Sequence, residues 1–264
     1  MCLAKIAYYV KIKKVKQEAN FMKLKVIGTS CTWFERNNTS FVIDDDIIFD
    51  VPDGNYKLIS KYTDISKLRC VLITHFHTDH FADFRIIATL TMRHFEEFGR
   101  TENLRVYAPK GIVENMIAVA KLTYSGKDEC DEESIRKYID FIELEDGFEF
   151  EEGDYKIKAF KVDHGAPETY GFTFTDKTGK TIAFSADTKM CDNLHNMLET
   201  ADVAFVEMSA IKPHRTHLTV DEFLELSNKY NKTKMYPIHT CDKAQEYAIS
   251  HGLNYVNDGD EFEI

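Results

Sequence analysis

The eleven residues from Cys70 to His80 restrict what this chain can become more than any other stretch. Cys70-Val71-Leu72-Ile73 is an apolar, partly β-branched run that predicts a buried strand. Thr74-His75-Phe76-His77-Thr78-Asp79-His80 follows at once, placing four strong metal ligands within six residues. The cluster therefore sits at the mouth of a sheet rather than along a helix. Alternate side chains of an extended segment face the same way, so His75 and His77 can address one ion. Asp79 and His80, where the chain turns into the next helix, are offset and can serve a second. Imidazole and carboxylate together suit zinc, and manganese or iron also fit such a donor set.

A chain of 264 residues holds one large α/β domain or two small ones, and 44% hydrophobic residues suffice for a core. The net charge of −11 repels polyanions over most of the surface. Two divalent ions would add about +4 locally, so an anion could still be drawn to the site. The six cysteines, Cys2, Cys31, Cys70, Cys130, Cys191 and Cys241, form no CxxC pair. With no secretion signal and no apolar run of spanning length, the expectation is a reduced cytoplasmic protein away from membranes.

Residues 1–21, rich in lysine, read as a dispensable extension, and 22–264 as a single hydrolase-sized domain. Lys23–Ile27 predicts a strand ended by Gly28-Thr29-Ser30, and Ser40–Ile43 with Ile47–Asp50 a hairpin around Asp44-Asp45-Asp46. Helices are expected over Tyr56–Lys67, Phe81–Phe98 and from Pro109 to about Tyr124, with a strand at Leu104–Ala108. The acidic stretch Gly126–Asp154 reads mainly as a solvated face. Alternation from Phe148 to Phe184 predicts several strands, and a second α/β portion follows, with strands at Val203–Met208 and Met235–Ile238. Two βα halves with helices outside two sheets fit this order.

Four ligands cannot close two metal sites. Three further candidates stand just beyond predicted strands: His164 after Phe160–Asp163, Asp187 after Ile182–Ala186, and His239 after Met235–Ile238. With His75-x-His77-x-Asp79-His80 and these later residues in order, the sequence resembles the metallo-β-lactamase superfamily from about Lys23 to the C-terminus. The resemblance implies a four-layer αβ/βα sandwich with the site at one edge of two facing sheets. It also implies two divalent ions, zinc foremost. His75, His77 and His164 would hold the first, Asp79, His80 and His239 the second, and Asp187 would bridge them.

Gly28-Thr29-Ser30, Arg36-Asn37-Asn38-Thr39-Ser40 and His217-Leu218-Thr219 are similar to the tRNase Z and phosphodiesterase branch. In that branch the His-x-Thr histidine lies beside the scissile phosphate, which makes His217 and Asp79 the candidate catalytic residues. Thr219 also reads as a helix cap completed by Glu222. Two departures oppose tRNA maturation. Only 23 residues separate His164 from Asp187, too few for a tRNA-gripping arm, and Asp50-Val51-Pro52-Asp53-Gly54 replaces the segment typical of tRNA processors. The sequence also lacks the basic stripe of an RNA binder. The expectation is hydrolysis of a small or cyclic phosphodiester by a water made nucleophilic at the two ions. An endoribonuclease of the tRNase Z type and a lactonase or thioesterase on the same metals are the alternatives. Nucleic acid is not favoured as a partner, and a homodimer is left open.

Overall fold

The computed structural model describes residues 22–32, 35–123 and 132–264. The N-terminal extension and the head of the acidic stretch lie outside the described residues. The first sheet takes β1 (Lys23–Gly28), β2 (Ser40–Ile43), β3 (Ile47–Phe49), β4 (Cys70–Leu72), β5 (Leu104–Ala108) and β6 (Ile139–Glu143). The second takes β7 (Glu149–Glu152), β8 (Tyr155–Val162), β9 (Thr169–Thr175), β10 (Thr181–Phe184), β11 (Val203–Glu207) and β12 (Lys234–Ile238). A last short strand, β13 (Glu261–Glu263), returns to the first sheet beside β1, giving orders 13-1-2-3-4-5-6 and 12-11-10-9-8-7. Both sheets are mixed: hairpins build one end of each, and parallel crossovers build β3 to β6 and β10 to β12.

The period of two explains how the sheets face each other. In β4, Cys70 and Leu72 join the core between the sheets while Val71 and Ile73 meet the outer helices, so the whole run is apolar. Phenylalanines fill the interior: the Phe184 ring lies 5.1 Å from Phe41, 5.0 Å from Phe49 and 5.2 Å from Phe205. Outside the first sheet lie α1 (Tyr56–Tyr62), α2 (Thr78–Phe81), α3 (Phe84–Phe98), α4 (Ile112–Thr123) and α5 (Glu132–Arg136). Outside the second lie α6 (Asp192–Thr200), α7 (Val220–Lys229) and α8 (Asp242–Ser250). Apolar clusters from Ile27 to Ile139 and from Val162 to Ala248 bind the two helical layers to their sheets. The four-layer αβ/βα sandwich is therefore present. Among the described residues no helix is long and apolar enough to cross a membrane.

Local departures from the expected elements have simple causes. The helix expected over Tyr56–Lys67 stops at Tyr62 because Thr63 is extended and its hydroxyl donates to the Asp45 carbonyl. Asp64 then starts a separate 3-10 turn, Ile65–Lys67, by accepting from Ser66 N–H. The helix expected over Phe81–Phe98 is broken near Asp83, whose carboxylate accepts from Tyr56 N–H at 3.2 Å. The earlier short turn α2 carries Asp79 and His80. The acidic stretch is not merely a solvated face. Ile135 and Ile139 are buried, and Glu152, 2% exposed, accepts from Arg105 and from the Tyr107 hydroxyl. Thr219 does cap α7, with the Glu222 carboxylate returning the bond in a full capping box.

Candidate metal centre

Each candidate ligand leaves the end of a strand on the same edge of the sandwich. His75 and His77 follow β4, Asp79 and His80 occupy α2, His164 follows β8, Asp187 follows β10, and His239 follows β12. The side chains converge in two groups, His75, His77, His164 and Asp187 in one, Asp79, His80 and His239 in the other, with donor atoms within 4.8 Å inside each. Asp187 belongs to both by distance. Its Oδ2 lies 3.8 Å from His75 Nε2, 3.7 Å from His164 Nε2 and 3.4 Å from His239 Nε2, and its Oδ1 lies 3.4 Å from His80 Nε2.

Hydrogen bonds behind the rings hold them in place. His80 Nδ1 donates to Asp50 at 2.7 Å, and Thr74 N–H and hydroxyl each donate to the same carboxylate at 2.8 Å. His75 Nδ1 pairs with the Thr74 hydroxyl at 3.0 Å, His164 Nδ1 with the Thr216 carbonyl at 3.0 Å and His239 Nδ1 with Ser209 Oγ at 2.9 Å. The Nε2 atoms of these rings turn inward, toward Asp79, Asp187 and one another. His75 Nε2 and Asp187 Oδ1 are buried without a hydrogen-bond partner. A buried polar atom normally has one, and both lie inside the cluster that could hold a metal ion. Asp50, Ala186 and His239 all hold left-handed backbone at the ends of their strands (φ +58°, +55° and +51°), strain that turns the chain sharply at the rim.

Electrostatics suit the same occupant. Burial, reinforced by His80, holds His75 well below the usual imidazole range, and burial with His164 lowers His77, so both favour the neutral form that ligates. Burial would raise Asp79 and Asp187, yet the neighbouring histidines outweigh it and keep both carboxyls well below their ordinary value. Burial also disfavours charge on His80, but Asp187 and Asp50 reverse the sign and favour positive charge there.

His217 stands beside these groups rather than behind them. Its Nδ1 lies 3.1 Å from Glu207 Oε1, and its ring stacks on His239 with centroids 5.6 Å apart. Burial works against the imidazolium, but the Glu207 carboxylate overrides it and pushes His217 up to about 9. Glu207 is fully buried at the end of β11 and also accepts from Thr188 N–H, Ser209 Oγ and Leu218 N–H. His217 also forms a group with Asp187 and His239 close enough to share an ion. Asp79 further accepts from the Thr32 hydroxyl. His77, Asp79, Asp187, His217 and His239 open into a cavity of about 560 Å³ walled by Cys31 and Thr32 on one side and by Ser209 to His214 on the other. The Thr32 wall needs Gly28, where any Cβ would collide with the Asn37 and Asn38 carbonyls.

Asp50, Thr74, Ser209 and Glu207 were not singled out as site residues by the sequence. Asp50 did carry the signal that found Asp187, an acid directly after an apolar strand, whereas Glu207 is the last residue of β11 itself. Asp50→Asn is expected to weaken metal binding by roughly 10- to 100-fold, because an orienting partner of a ligand histidine is lost. A zinc competition titration measures this, and an affinity equal to wild type would make Asp50 a purely structural residue.

Residues 49–240 match the family model of the Beta-lactamase superfamily domain. The chain is similar to ribonuclease Z of Listeria monocytogenes serotype 4b, at 28% identity over 153 residues, 56% of this chain and 44% of that protein. The match thus spans about half the length of this curated relative. The metallo-beta-lactamase fold protein YhfI from Bacillus subtilis superposes with a TM-score of 0.74 at 17% identity, covering 93% of this chain and all of that one. A diphosphatase of the PhnP family superposes with a TM-score of 0.71 at 20% identity, covering 92% and 98%. At these identities the two structures establish the fold.

Proposed function

The chain belongs to the β-lactamase superfamily of hydrolases, and from that premise we propose that it is a metal-dependent phosphodiesterase acting on a small phosphodiester. The observation that carries the proposal is the Glu207–His217 pair, 3.1 Å apart, beside a carboxylate that touches both ligand groups. His75, His77 and His164 would hold one divalent ion and Asp79, His80 and His239 another, with Asp187 between them; zinc suits these donors best. Bound ions supply positive charge for the phosphoryl oxygens and acidify a water.

The chain's own residues move the protons. Asp79, held anionic by His239 and His80, orients the attacking water, whose proton passes to solvent. His217, with Nδ1 turned to Glu207, presents Nε2–H to the leaving oxygen and returns a proton there. The water loses one proton to solvent and the alkoxide gains one from His217, which is reprotonated from solvent, so the turnover balances. An ester with a poor alkoxide leaving group draws on that donor, and two adjacent ions would suit the non-bridging oxygens of a phosphodiester.

An endoribonuclease reading draws on the name of the ribonuclease Z relatives. Against it, β9 and β10 are joined by a tight turn at Asp176–Lys180, so no arm leaves the domain between His164 and Asp187. The net charge of −11 also opposes a long polyanion. Metal-loaded protein assayed on bis(p-nitrophenyl) phosphate, cyclic nucleotides, precursor tRNA and a lactone separates the readings. Preference for precursor tRNA or for the lactone would replace the proposal. Elemental analysis after zinc or manganese reconstitution should approach two ions per chain. Saturation at one ion would overturn the dinuclear assignment.

A further inference from the structure

We infer that the segment Ile211–His214 forms a subsite for a second anionic group, a phosphate carried by the leaving alcohol of the substrate. The inference rests on the phosphodiesterase reading above and specifies its substrate class. From Met208 to Val220 the chain contains Lys212, His214, Arg215 and His217 and no Asp or Glu, in a protein whose net charge is −11. Lys212 and His214 line the same cavity as Asp79, Asp187 and His239.

Neighbouring cations are neutralised, whereas Lys212 and Arg215 are not. Lys189 pairs with Asp163 at 3.1 Å, Lys161 with Glu168 at 2.9 Å and Arg36 with Asp242 at 3.5 Å. The turn at Gly165 packs against Thr216, where an added Cβ would stand 2.9 Å from the Thr216 methyl. That turn therefore brings Asp163 and Glu168 toward the loop with their charges already taken. Among the described residues neither Lys212 nor Arg215 forms an ion pair with a carboxylate. Glu207, a carboxylate that acts on His214, is held by four donors of its own.

Direction comes from the order of the rings. His217 must touch the leaving oxygen to protonate it, and the His214 ring is the next one outward, with centroids 5.0 Å apart. His214 Nδ1 accepts from Thr216 N–H at 3.4 Å, which leaves the proton on Nε2 as a donor. Whatever extends from the leaving oxygen past His217 therefore meets His214 and Lys212. Ile211, 44% exposed at the same mouth, offers an apolar contact for the carbon skeleton between two phosphates. A charge-assisted pair at such a rim fixes a phosphate without needing a basic surface elsewhere.

The test compares binding of one and two phosphates to zinc-reconstituted protein by calorimetry. Adenosine 3′,5′-bisphosphate is set against adenosine 5′-monophosphate, and fructose 1,6-bisphosphate against fructose 6-phosphate. The second phosphate should tighten binding by about tenfold in wild type, and high salt should erode the gain. In Lys212→Ala and His214→Ala the gain should fall below about threefold while metal content stays at the wild-type level. A gain in both pairs assigns the subsite to phosphate itself, and a gain confined to adenosine assigns it to nucleotides. No gain in wild type, or an equal gain in the variants, overturns the inference even where phosphodiesters are hydrolysed. A gain that persists while no phosphodiester is turned over supports the subsite and removes the phosphodiesterase reading instead.

Discussion

Asp187→Ala is expected to leave the protein unable to retain two ions and to lower phosphodiester turnover by more than about 10³-fold, beyond the usual cost of losing one electrostatic stabiliser. The expectation follows from position. Asp187 Oδ2 is 3.7 Å from His164 Nε2 and 3.4 Å from His239 Nε2, and Oδ1 is 3.4 Å from His80 Nε2, so it alone meets both groups. Without its charge, two cations in adjacent groups would repel each other in a buried, weakly screened site. Loss of a terminal ligand such as His77 removes one donor from one group and should cost less. Elemental analysis after dialysis, with the thermal midpoint as a folding control, measures the outcome. Full two-ion occupancy in Asp187→Ala would refute its bridging position.

His217→Ala should reduce turnover by roughly 10²- to 10⁴-fold for substrates with poor leaving groups, the span of a positioned acid–base group. The loss should shrink for nitrophenyl esters, because nitrophenolate departs with little need of a proton. Glu207→Gln should reproduce this pattern at smaller size, since it keeps the volume but removes the charge that faces His217 at 3.1 Å. Metal content distinguishes two roles for the same side chain. His217→Ala with both ions retained supports a proton donor. Loss of an ion instead would make His217 a ligand with Asp187 and His239, a grouping that distance permits. An equal loss for good and poor leaving groups would favour electrostatic stabilisation over proton transfer.

The strand that leads into the candidate centre, and the ligand-type side chains beyond the strand ends, are legible in the residue order. Cys70–Ile73 is apolar at every position because both faces of β4 are covered, and the histidines after it lie where such a strand must emerge. His164, Asp187 and His239 were legible for the same reason, as ligand types directly after apolar strands. That reasoning is local, and it holds because strand period and strand ends are local properties. Distance alone decided the rest. Asp50 and Glu207 end β3 and β11 as Asp187 follows β10, but a lone acid at a strand end has no partner until the sheets are assembled. Parallel pairing of β3 with β4 sets Asp50 beside Thr74 and His80, and the turn from β11 toward α7 sets Glu207 beside His217. The described part of the acidic stretch is largely solvated, as its charges imply, but holds one exception. Its charges suggested solvent, yet Glu152 is buried because β7 brings it to Arg105 and Tyr107 on β5, across the gap between the sheets. Charge on one segment says little about burial when the compensating cation lies 47 residues away. Only tertiary structure supplies that partner, and a buried carboxylate is stable only with it.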